Sequence, residues 1–491
     1  MSHHEVVIVG AGVSGIAAAV QLRKAGVTDL VILEKADTWG GTWRANTYPG
    51  CACDVPSALY SFSFAPNPDW SRLFAGQPEI LAYVERVARD HDLEQHARFG
   101  VEMLGADWDD AAGHWRLATT AGEITARFLI GCAGPWNEPA VPDLPGLSEF
   151  PGEVFHSARW NHDHDLDGAR VAVIGTGASA VQFVRQIQPR VEALHLFQRT
   201  AQWVLPKPDH AVPGLERWVM RRVPGAQRAL KLAEYGLMEA LGVGFRHPHP
   251  VLDAVQAVGR AHLRLTVRDP RLRATLTPDY TIGCKRILFS NSYLPSLTRP
   301  NVEVHGTAVA RIEGSTVVGA DGTRAEVDTI ILGTGFHILD MPVADLIRGA
   351  AGRSLAEVWQ GSPEAYLGTA VAGFPNAFLV LGPSLGTGHS SAFAILEAQV
   401  ALIVAAVGHA RRHDGVLDVR PPVQQRYVDD VQAALAGTVY NTGGCASYYR
   451  DVNGRNSFNW PWSTGALMRR VSTFDPADYT LTTRLPEEIP A

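Results

Sequence analysis

Two glycine-rich segments constrain the fold of this chain more than any other feature. The first, Gly10-Ala-Gly12-Val-Ser-Gly15, follows an apolar run at residues 6–9 and precedes a helix-like stretch at residues 16–24. Glycine permits a tight turn and a close approach of the backbone to a pyrophosphate, which the N-terminus of the following helix attracts. Strand, turn and helix in this order predict a dinucleotide-binding Rossmann unit.

An acidic residue closes the strand predicted over residues 30–33. Glu34 lies 19 residues after Gly15, where a carboxylate usually accepts hydrogen bonds from the hydroxyls of an adenosine ribose. A carboxylate there favours an unmodified ribose, because it would repel a 2′-phosphate. The first unit is therefore predicted to bind NAD or FAD.

The second glycine-rich segment, Gly175-Thr-Gly177-Ala-Ser-Ala180, repeats the pattern further along the chain. It follows the apolar run 171–174 and precedes a helix predicted to begin near Val181. This order predicts a second dinucleotide-binding unit. The fold class is therefore expected to be α/β with two Rossmann-like domains.

No acid follows the second strand of this unit, which is predicted over residues 194–197. Gln198-Arg199-Thr200 stands there instead, and a guanidinium can form paired hydrogen bonds with a 2′-phosphate. The second unit is therefore predicted to bind NADPH, with Thr200 and Gln182 also holding it. The alternative is that Arg199 is a solvated surface side chain.

The composition fits an enzyme with two nucleotide ligands. With 491 residues, 46% of them hydrophobic and 19% charged, the chain is long enough for several buried cores. The net charge of −7 is mild and lacks a basic stripe, so nucleic acid is not expected as a partner. Nothing in the composition indicates an oligomeric state.

Cysteine is sparse and odd in number: the five residues are Cys51, Cys53, Cys132, Cys284 and Cys445. This pattern, with no signal-type apolar segment before the strand predicted to start by Val6, predicts a cytoplasmic protein with reduced thiols. No uninterrupted apolar segment reaches the roughly 18 residues that span a bilayer. An integral membrane segment is not expected, whereas association with a membrane surface stays open.

A third motif lies just before the second turn. Its residues, spaced as F-x-G-x-x-x-H-x-x-x-W, are Phe150, Gly152, His156 and Trp160. Placed between two Rossmann turns, it resembles the signature of the type I Baeyer–Villiger monooxygenases, class B flavoprotein monooxygenases of the flavin-containing monooxygenase superfamily. The resemblance runs nearly end to end, and its other segments are 40–50 with the following Asp54, 283–286, 333–336 and 388–399.

The resemblance implies FAD in the first domain and NADPH in the second. Members of this family insert one oxygen atom of O₂ next to a ketone carbonyl, through a C4a-peroxyflavin and a tetrahedral (Criegee) adduct, to give an ester or lactone. Stabilising the peroxide and alkoxide anions suits a permanently charged donor in a dry site. Arg286 matches the active-site arginine of the family, and Asp54 is expected to lie against the flavin and that guanidinium.

Further site residues follow from the same match. Lys285 is expected to reach the NADPH 2′-phosphate together with Arg199. The signature residues are expected to couple domain motion to cofactor binding, because the signature lies on the linker, and not to act as acid or base. On the residues alone, Lys285 and Arg286 could be a solvated pair, and Asp54 a turn former. The residues expected along FAD are Gly41, Thr42, Trp43 and Tyr48.

Changes of pattern divide the chain into three parts. An FAD-binding domain is predicted over residues 1–145 and 375–491, and an NADPH-binding domain over 150–206 and 282–374. Residues 207–281 are predicted to be a helical insertion, because apolar residues recur there at helical spacing. The insertion either walls the substrate tunnel or is an ordinary packing subdomain.

Two other functions stay open at this point. One is a class B monooxygenase that oxidises sulfur or nitrogen, although Trp160 and the pair of Asp54 and Arg286 favour the ketone reaction. The other is a flavin-dependent NADPH reductase or oxidase without oxygenation. A disulfide reductase would need a C-x-x-C or similar pair, whereas Cys51-Ala-Cys53 is a C-x-C.

The sequence departs from the family pattern at two positions and leaves the substrate undefined. Asn161 stands where Pro or Asp usually follows the signature, and Tyr448 where Trp is frequent. Linear, cyclic, aromatic and steroid-like ketones are all compatible with the chain. No metal site is predicted, because His162-Asp-His164 is a short mixed pair in a polar linker.

Overall fold

Both glycine-rich turns connect a strand to a helix, as the sequence predicts. The computed structural model describes residues 2–246 and 250–483. In chain order the strands are β1 Ser2–Val9, β2 Leu30–Glu34, β3 Ala97–Phe99, β4 Met103–Asp109, β5 His114–Thr119, β6 Gly122–Gly131, β7 Glu153–His156, β8 Arg170–Ile174, β9 Ala193–Phe197, β10 Val204–Leu205, β11 Leu288–Phe289, β12 Val302–His305, β13 Val309–Glu313, β14 Thr316–Gly319, β15 Arg324–Glu326, β16 Thr329–Leu332, β17 Ile347–Arg348, β18 Ala377–Leu379, β19 Gly415–Val419 and β20 Tyr479–Thr483.

The helices connect and cover these strands. In chain order they are α1 Val13–Lys24, α2 Thr42–Ala45, α3 Gln77–Asp90, α4 Ala178–Ile187, α5 Gly214–Arg222, α6 Ala226–Arg246, α7 Pro250–Thr266, α8 Pro270–Thr275, α9 Tyr293–Ser296, α10 Val343–Leu346, α11 Leu355–Trp359, α12 Ala392–Arg412, α13 Pro421–Leu435, α14 Val439–Thr442 and α15 Thr464–Val471.

The first sheet carries the first glycine turn. Its strand order is β17-β4-β5-β6-β1-β2-β3, and β18 also pairs with β6. Strand β1 is parallel to β2 and β6, with Val6 opposite Leu30 and Phe128. Val6, Val7 and Ile8 are fully buried, because protein covers both faces of the parallel part of this sheet.

The second sheet carries the second glycine turn. Its order is β12-β9-β8-β16-β7, with parallel pairing throughout. The turn leaves β8, the middle strand, and leads into α4. Strands β13 to β15 form a small antiparallel sheet that shares a core with the second sheet through Phe150, Val317 and Ile330. The α/β class with two Rossmann-like units is confirmed.

The segment predicted as a helical insertion, residues 207–281, contains α5 to α8 in its described part. The predicted return of the chain to the first sheet at residue 375 differs from what is observed. Strand β17 already pairs with β4, with Ile347 opposite Ala106, and Trp359 and Phe374 pack in the core of the first sheet. The return therefore begins about 30 residues earlier than the apolar run at residue 378 indicated.

Among the described residues, α12 is the helix whose length and mean hydropathy of 1.8 would suffice to cross a membrane. The sequence predicts no segment of this kind, and Glu397 and Gln399 interrupt the apolar run of this helix. It packs against α1 and α15, and Phe393, Leu396 and Ile403 are fully buried by other parts of the protein. These contacts are those of a core helix.

Candidate active site

The first glycine turn is packed so closely that side chains do not fit. Gly10 has φ +113°, and a Cβ there would lie 2.5 Å from the carbonyl oxygen of Cys132; at Gly15 it would lie 1.9 Å from the carbonyl oxygen of Gly10. Helix α1 begins after Gly12 without a side-chain cap. Its free N–H groups and positive end are therefore available to a phosphate.

Glu34 is held against this turn by two main-chain donors. The amide of Ala11 donates to its Oε2 at 2.8 Å, and the amide of Ala36 donates to its Oε1 at 2.9 Å. A carboxylate oxygen can accept more than one hydrogen bond. The carboxylate is thus positioned to accept ribose hydroxyls beside the turn, which fits the predicted role of Glu34.

The segment expected along FAD lies against the first turn. A Cβ on Gly41 would come 2.9 Å from the Cα of Gly12, so the two backbones are in contact. Thr42 and Trp43 open α2 directly afterwards. Trp43 is buried and its Nε1 donates to the hydroxyl of Tyr60 at 3.1 Å. The motif therefore contributes backbone near the turn and an aromatic wall behind it.

The second glycine turn repeats the packing of the first. Gly175 has φ +104°, and a Cβ there would lie 2.4 Å from the carbonyl oxygen of Gly333, whereas a Cβ on Gly177 would meet nothing within 4 Å. Helix α4 also begins without a side-chain cap, and Ala180 is buried in its first turn. The side of Gly177 is open to a pyrophosphate, as the Rossmann interpretation requires.

Two cations lie close together beyond this turn. Arg199 is exposed just after β9, and Lys285 is partly buried. Burial and the charge of Arg199 lower the pKa of Lys285 below its ordinary value, so the two side chains repel each other. Neither forms an ion pair with any described residue. Such a pair suits the doubly charged 2′-phosphate of NADPH.

Thr200, the other residue predicted to hold NADPH here, accepts a hydrogen bond at its main-chain oxygen from Thr176 Oγ1 at 3.3 Å.

Arg286 lines a cavity of about 100 Å³ together with Trp136, Thr387, Ser390 and Phe458. Burial alone would lower the pKa of Arg286, but the combined electrostatic interactions with Asp54, Tyr448, Tyr449 and Cys53 outweigh it, and the pKa is raised. The guanidinium is therefore a permanent cation at the wall of a largely apolar cavity. This position is compatible with the predicted role of Arg286, which stays a prediction.

Asp54 has a hydrogen-bonding partner that the sequence analysis missed. Lys207 Nζ donates to Asp54 Oδ1 at 3.1 Å and to the carbonyl oxygen of Cys53 at 3.2 Å. The side chains of Asp54 and Lys207 are 9% and 14% exposed, so this is a nearly buried ion pair. Asp54 interacts with Arg286 through its charge, without a hydrogen bond between the two described side chains. The sequence placed Lys207 at a domain boundary and gave no signal that it meets a carboxylate 153 residues away.

Gln182 and Tyr48 are joined to each other. Tyr48 donates its hydroxyl proton to Gln182 Oε1 at 3.0 Å, the amide of Ala52 donates to the same oxygen at 3.2 Å, and Gln182 Nε2 donates to the carbonyl oxygen of Ala52 at 3.0 Å. The amide of Gln182 thus joins α4 of the second unit to the segment after α2 of the first. Its predicted contact with NADP⁺ stays a prediction.

The signature residues lie at the edge of the second sheet, not on a free linker. His156 ends β7, opposite Leu332 of β16, and its ring contacts Phe336 with centroids 5.8 Å apart. A Cβ on Gly152 would lie 2.1 Å from the carbonyl oxygen of Asp328, so only glycine fits there. Phe150 is buried in the adjoining core.

Trp160, the last residue of the signature, packs on the side of the second unit that faces the first. Its ring packs on Phe183 of α4 with centroids 5.3 Å apart, and Phe183 in turn contacts Tyr48. Asn161, the departure from the family pattern, donates from Nδ2 to Glu153 Oε1 at 2.7 Å. The signature is therefore part of the packing between the two units, which is compatible with the predicted coupling role.

Buried polar atoms near Arg286 test whether a flavin fits. The Thr387 Oγ1 and Ser390 Oγ atoms that line its cavity, and His389 Nδ1 between them in sequence, have no hydrogen-bonding partner among the described residues. Unpaired buried polar groups are costly. A flavin ring offers carbonyl and N–H groups at its edge, so the residues present fit this group.

The loop with Tyr448 is tied to the segment of Arg286. A disulfide joins Cys284 to Cys445, which contradicts the expectation that all thiols are reduced. Five scattered cysteines gave no indication of this pair, because the two residues are 161 positions apart. Tyr448 packs on Trp136 with centroids 5.9 Å apart. The loop therefore packs behind Trp136, which lines the Arg286 cavity.

The remaining cysteines do not support a disulfide reductase. Cys51 and Cys53 are buried free thiols, and burial raises the pKa of each to about 12. Thiols with such values are protonated at neutral pH and are poor nucleophiles. The C-x-C segment is thus a packing element beside Asp54.

A larger cavity, of about 430 Å³, lies between residues 57–73 and the helices α5 and α6. Glu234 lies at its wall and accepts from the amide of Leu59 at 2.9 Å; burial raises the pKa of Glu234 to about 7. Arg286 does not line this cavity. We place the chemistry at the smaller cavity, because the predicted active-site residue Arg286 lines it together with buried hydroxyls that lack a partner among the described residues.

Comparison with known proteins identifies close relatives. Residues 7–236 match the family model of the pyridine nucleotide-disulphide oxidoreductases. A Streptomyces coelicolor protein named Baeyer-Villiger monooxygenase is 47% identical, over 100% of this chain and 95% of the relative. A Pseudomonas aeruginosa protein of the same name is 44% identical, over 98% of this chain and 92% of that protein.

Solved structures resemble the whole molecule. An oxidized steroid monooxygenase bound to NADP superposes with a TM-score of 0.85 at 28% identity, covering 98% of this chain and 99% of the other. A closed cyclohexanone monooxygenase gives a TM-score of 0.87 at 27% identity, covering 98% of this chain and 100% of the other. The similarity is thus that of complete chains and not of one nucleotide-binding unit.

Proposed function

Because this chain belongs to the Baeyer–Villiger monooxygenase family and is an FAD- and NADPH-dependent monooxygenase, we propose that its small-molecule substrate is a ketone. The product is an ester or lactone with one oxygen atom from O₂ next to the former carbonyl. The observation that carries this proposal is Arg286, a permanent cation at the wall of a largely apolar cavity.

The two nucleotides are held by different parts of the chain. The turn at Gly10, Gly12 and Gly15, with Glu34, binds FAD, and the segment from Gly41 to Trp43 lies along it. The turn at Gly175 and Gly177 binds NADPH, and Arg199, Lys285 and Thr200 hold its 2′-phosphate. When bound, the two cofactors supply the reducing equivalents and the activation of O₂.

Arg286 stabilises negative charge on the oxygen of the substrate carbonyl. In a cavity walled by Trp136 and Phe458 a fixed cation acts more strongly than in water, because little solvent screens it. The guanidinium keeps its proton throughout, since its pKa is raised. It therefore acts as an electrostatic donor and not as a proton shuttle.

The ion pair of Asp54 and Lys207 contributes to the electrostatic potential at the Arg286 guanidinium. Asp54 offsets part of the charge of Arg286 while its own hydrogen bonds go to Lys207. No carboxylate of the described residues hydrogen-bonds the guanidinium, so its N–H groups remain available to a substrate oxygen. Lys207 is in this sense a positioning residue for Asp54.

We divide the chain functionally by the two sheets. The FAD domain is built on the first sheet and includes its return strands β17 and β18, so that the boundary proposed at residue 375 moves to about 340. The NADPH domain is built on the second sheet, with residues 207–281 inserted into it. The packing of Trp160 on Phe183, together with the Tyr48–Gln182 hydrogen bond, supports coupling between the two domains at this contact.

The test uses the purified FAD-containing enzyme with NADPH, ¹⁸O₂ and a panel of ketones and sulfides. The expected result is ¹⁸O in an ester or lactone from at least one ketone, with a loss of about 100-fold or more in Arg286→Ala and FAD still bound. Arg299→Ala, an exposed arginine away from the cavity, should retain full activity.

Other results would count against this assignment. Labelled sulfoxides without any ester across the panel would indicate a sulfur-oxidising monooxygenase. NADPH consumption that yields only hydrogen peroxide with every compound would indicate an oxidase. Unchanged ester formation in Arg286→Ala would remove this residue from the mechanism while leaving the family assignment intact.

A further inference from the structure

Three metal-binding side chains meet on the outer edge of the second sheet, away from the Arg286 cavity. His195 lies on β9, and Glu303 and His305 lie on the edge strand β12. His195 is paired in register with Glu303, and His305, two residues along the strand, points to the same face. The side chains of His195 and His305 are 15% and 11% exposed.

The ligand atoms form a triangle of the size that a tetrahedral ion requires. His195 Nδ1 lies 3.2 Å from His305 Nε2, and Glu303 Oε2 lies 3.5 Å from the first and 3.8 Å from the second. Ligands about 2.0–2.1 Å from a tetrahedral ion are about 3.3–3.4 Å apart. All three edges are within 0.5 Å of that separation, so small side-chain movements would complete the site.

The types of the three ligand groups indicate which metal ion the site would bind. Two imidazoles and one carboxylate are the ligand set of zinc sites that leave a fourth position open. The Glu303 side chain is 68% exposed, so the fourth position faces solvent and an ion can enter. Without an ion, one ring nitrogen donates a hydrogen bond to the other, and the cluster is an ordinary polar contact.

We propose that His195, Glu303 and His305 form a binding site for a divalent transition metal ion such as Zn²⁺. The ion would join the edge strand β12 to β9. The amide of Gln198, the residue before Arg199, donates to the carbonyl oxygen of His305 at 2.9 Å, so the metal-linked strands lead directly into the 2′-phosphate site. The ion would stabilise this edge and the position of Arg199.

This proposal departs from the prediction that the chain holds no metal. That prediction considered histidines close in sequence, and His162 and His164 indeed bind separate partners, Thr47 and Thr329. The three residues of the proposed site come from strands 110 positions apart. Only the parallel pairing of β9 and β12 brings them together.

The experiment titrates the chelator-treated, FAD-containing enzyme with Co²⁺, followed by visible absorption and by equilibrium dialysis. The expected result is one saturable site per chain with the absorption of a tetrahedral or five-coordinate Co²⁺ ion, lost in His195→Ala and His305→Ala. Glu303→Gln, an exposed change that should leave the fold intact, is expected to weaken binding about tenfold or more.

A matched control comes from a second histidine pair. His409 and His413 lie at the C-terminal end of α12 with ring centroids 4.6 Å apart, and the double change of both to Ala should leave the saturable site intact. Equal Co²⁺ binding in wild type and Glu303→Gln, or a saturable site that is lost with His409 and His413 instead, would overturn the proposal. So would the absence of saturable binding in the wild type.

Discussion

Tyr48 donates a hydrogen bond to Gln182 at 3.0 Å, between segments 134 residues apart. The same amide of Gln182 bonds both main-chain groups of Ala52. One buried side chain therefore connects the helix that follows the second nucleotide turn with the segment that follows the first.

Gln182→Ala should destabilise the protein by about 1–3 kcal/mol, because it leaves the buried polar groups of Ala52 and Tyr48 without their partner. Denaturant unfolding monitored by flavin fluorescence measures this loss. If Gln182 serves chiefly as an NADP⁺ ligand, the KM for NADPH will rise while stability stays unchanged. Tyr48→Phe, which removes one of the bonds, should have a smaller effect on stability.

Lys207→Met should cost about 3–5 kcal/mol of stability, because it leaves the carboxylate of Asp54 nearly buried and unpaired. It should also lower kcat for ester formation, since the negative charge of Asp54, no longer offset by Lys207, then reduces the positive potential that Arg286 provides. Lys207→Arg retains the charge and should recover most of the stability. Thermal unfolding and steady-state kinetics on the two variants separate these effects. A fully stable and fully active Lys207→Met enzyme would show that the pair contributes nothing.

Gly152 and Gly177 should respond oppositely to the same substitution. A Cβ on Gly152 would lie 2.1 Å from the carbonyl oxygen of Asp328, so Gly152→Ala should lower the melting temperature by several degrees. A Cβ on Gly177 meets no atom of the described part of the chain within 4 Å. Gly177→Ala should therefore keep its melting temperature but raise the KM for NADPH, because it fills the space that the pyrophosphate needs. Equal melting temperatures of the two variants would contradict this.

Lowering the pH should reduce the stability of the folded protein, because the pKa of His156 differs between the folded and unfolded chain. Burial lowers its pKa from 6.5 to about 4, so between these values the unfolded chain binds a proton that the folded chain does not. The free energy of unfolding should therefore decrease as the pH falls from 6.5 to 4, by about 3 kcal/mol from this residue. His156→Asn should flatten that part of the profile. Identical pH profiles of the two proteins would show that His156 does not titrate in this way.

Loss of the Cys284–Cys445 disulfide should loosen the loop that carries Tyr448. Cys445→Ser is expected to cost about 2–4 kcal/mol, because a long loop of the unfolded chain is no longer closed. Limited proteolysis should then cleave the loop around residues 443–449 faster than in the wild type. Cys132→Ser, a change of a buried free thiol, separates the loss of a bridge from the loss of a thiol. The same cleavage rate in wild type and Cys445→Ser would show that the bridge does not hold the loop.

Sequence reasoning succeeded where the pattern is local. The strands, turns and first helices around Gly10 and Gly175 are as predicted, because glycine spacing, apolar runs and Glu34 lie within a few tens of residues of one another. It was less accurate about the residue at which the chain returns to the first sheet, because the two-residue strand β17 is too short to leave a recognisable apolar pattern. The expectation of reduced thiols was wrong, because pairing of cysteines is not readable from their spacing.

The sequence by itself determined the class of the molecule. It showed two nucleotide-binding units, an acid (Glu34) after the second strand of the first and an arginine (Arg199) after the second strand of the other, and the motifs that place the chain among the Baeyer–Villiger monooxygenases. Only the tertiary structure decided that Lys207 neutralises Asp54, that Gln182 bonds Tyr48, that Cys284 meets Cys445, and that His195 lies beside Glu303 and His305. These partners are more than 100 residues apart. Strand pairing and packing bring them together, and neither is encoded in a local pattern.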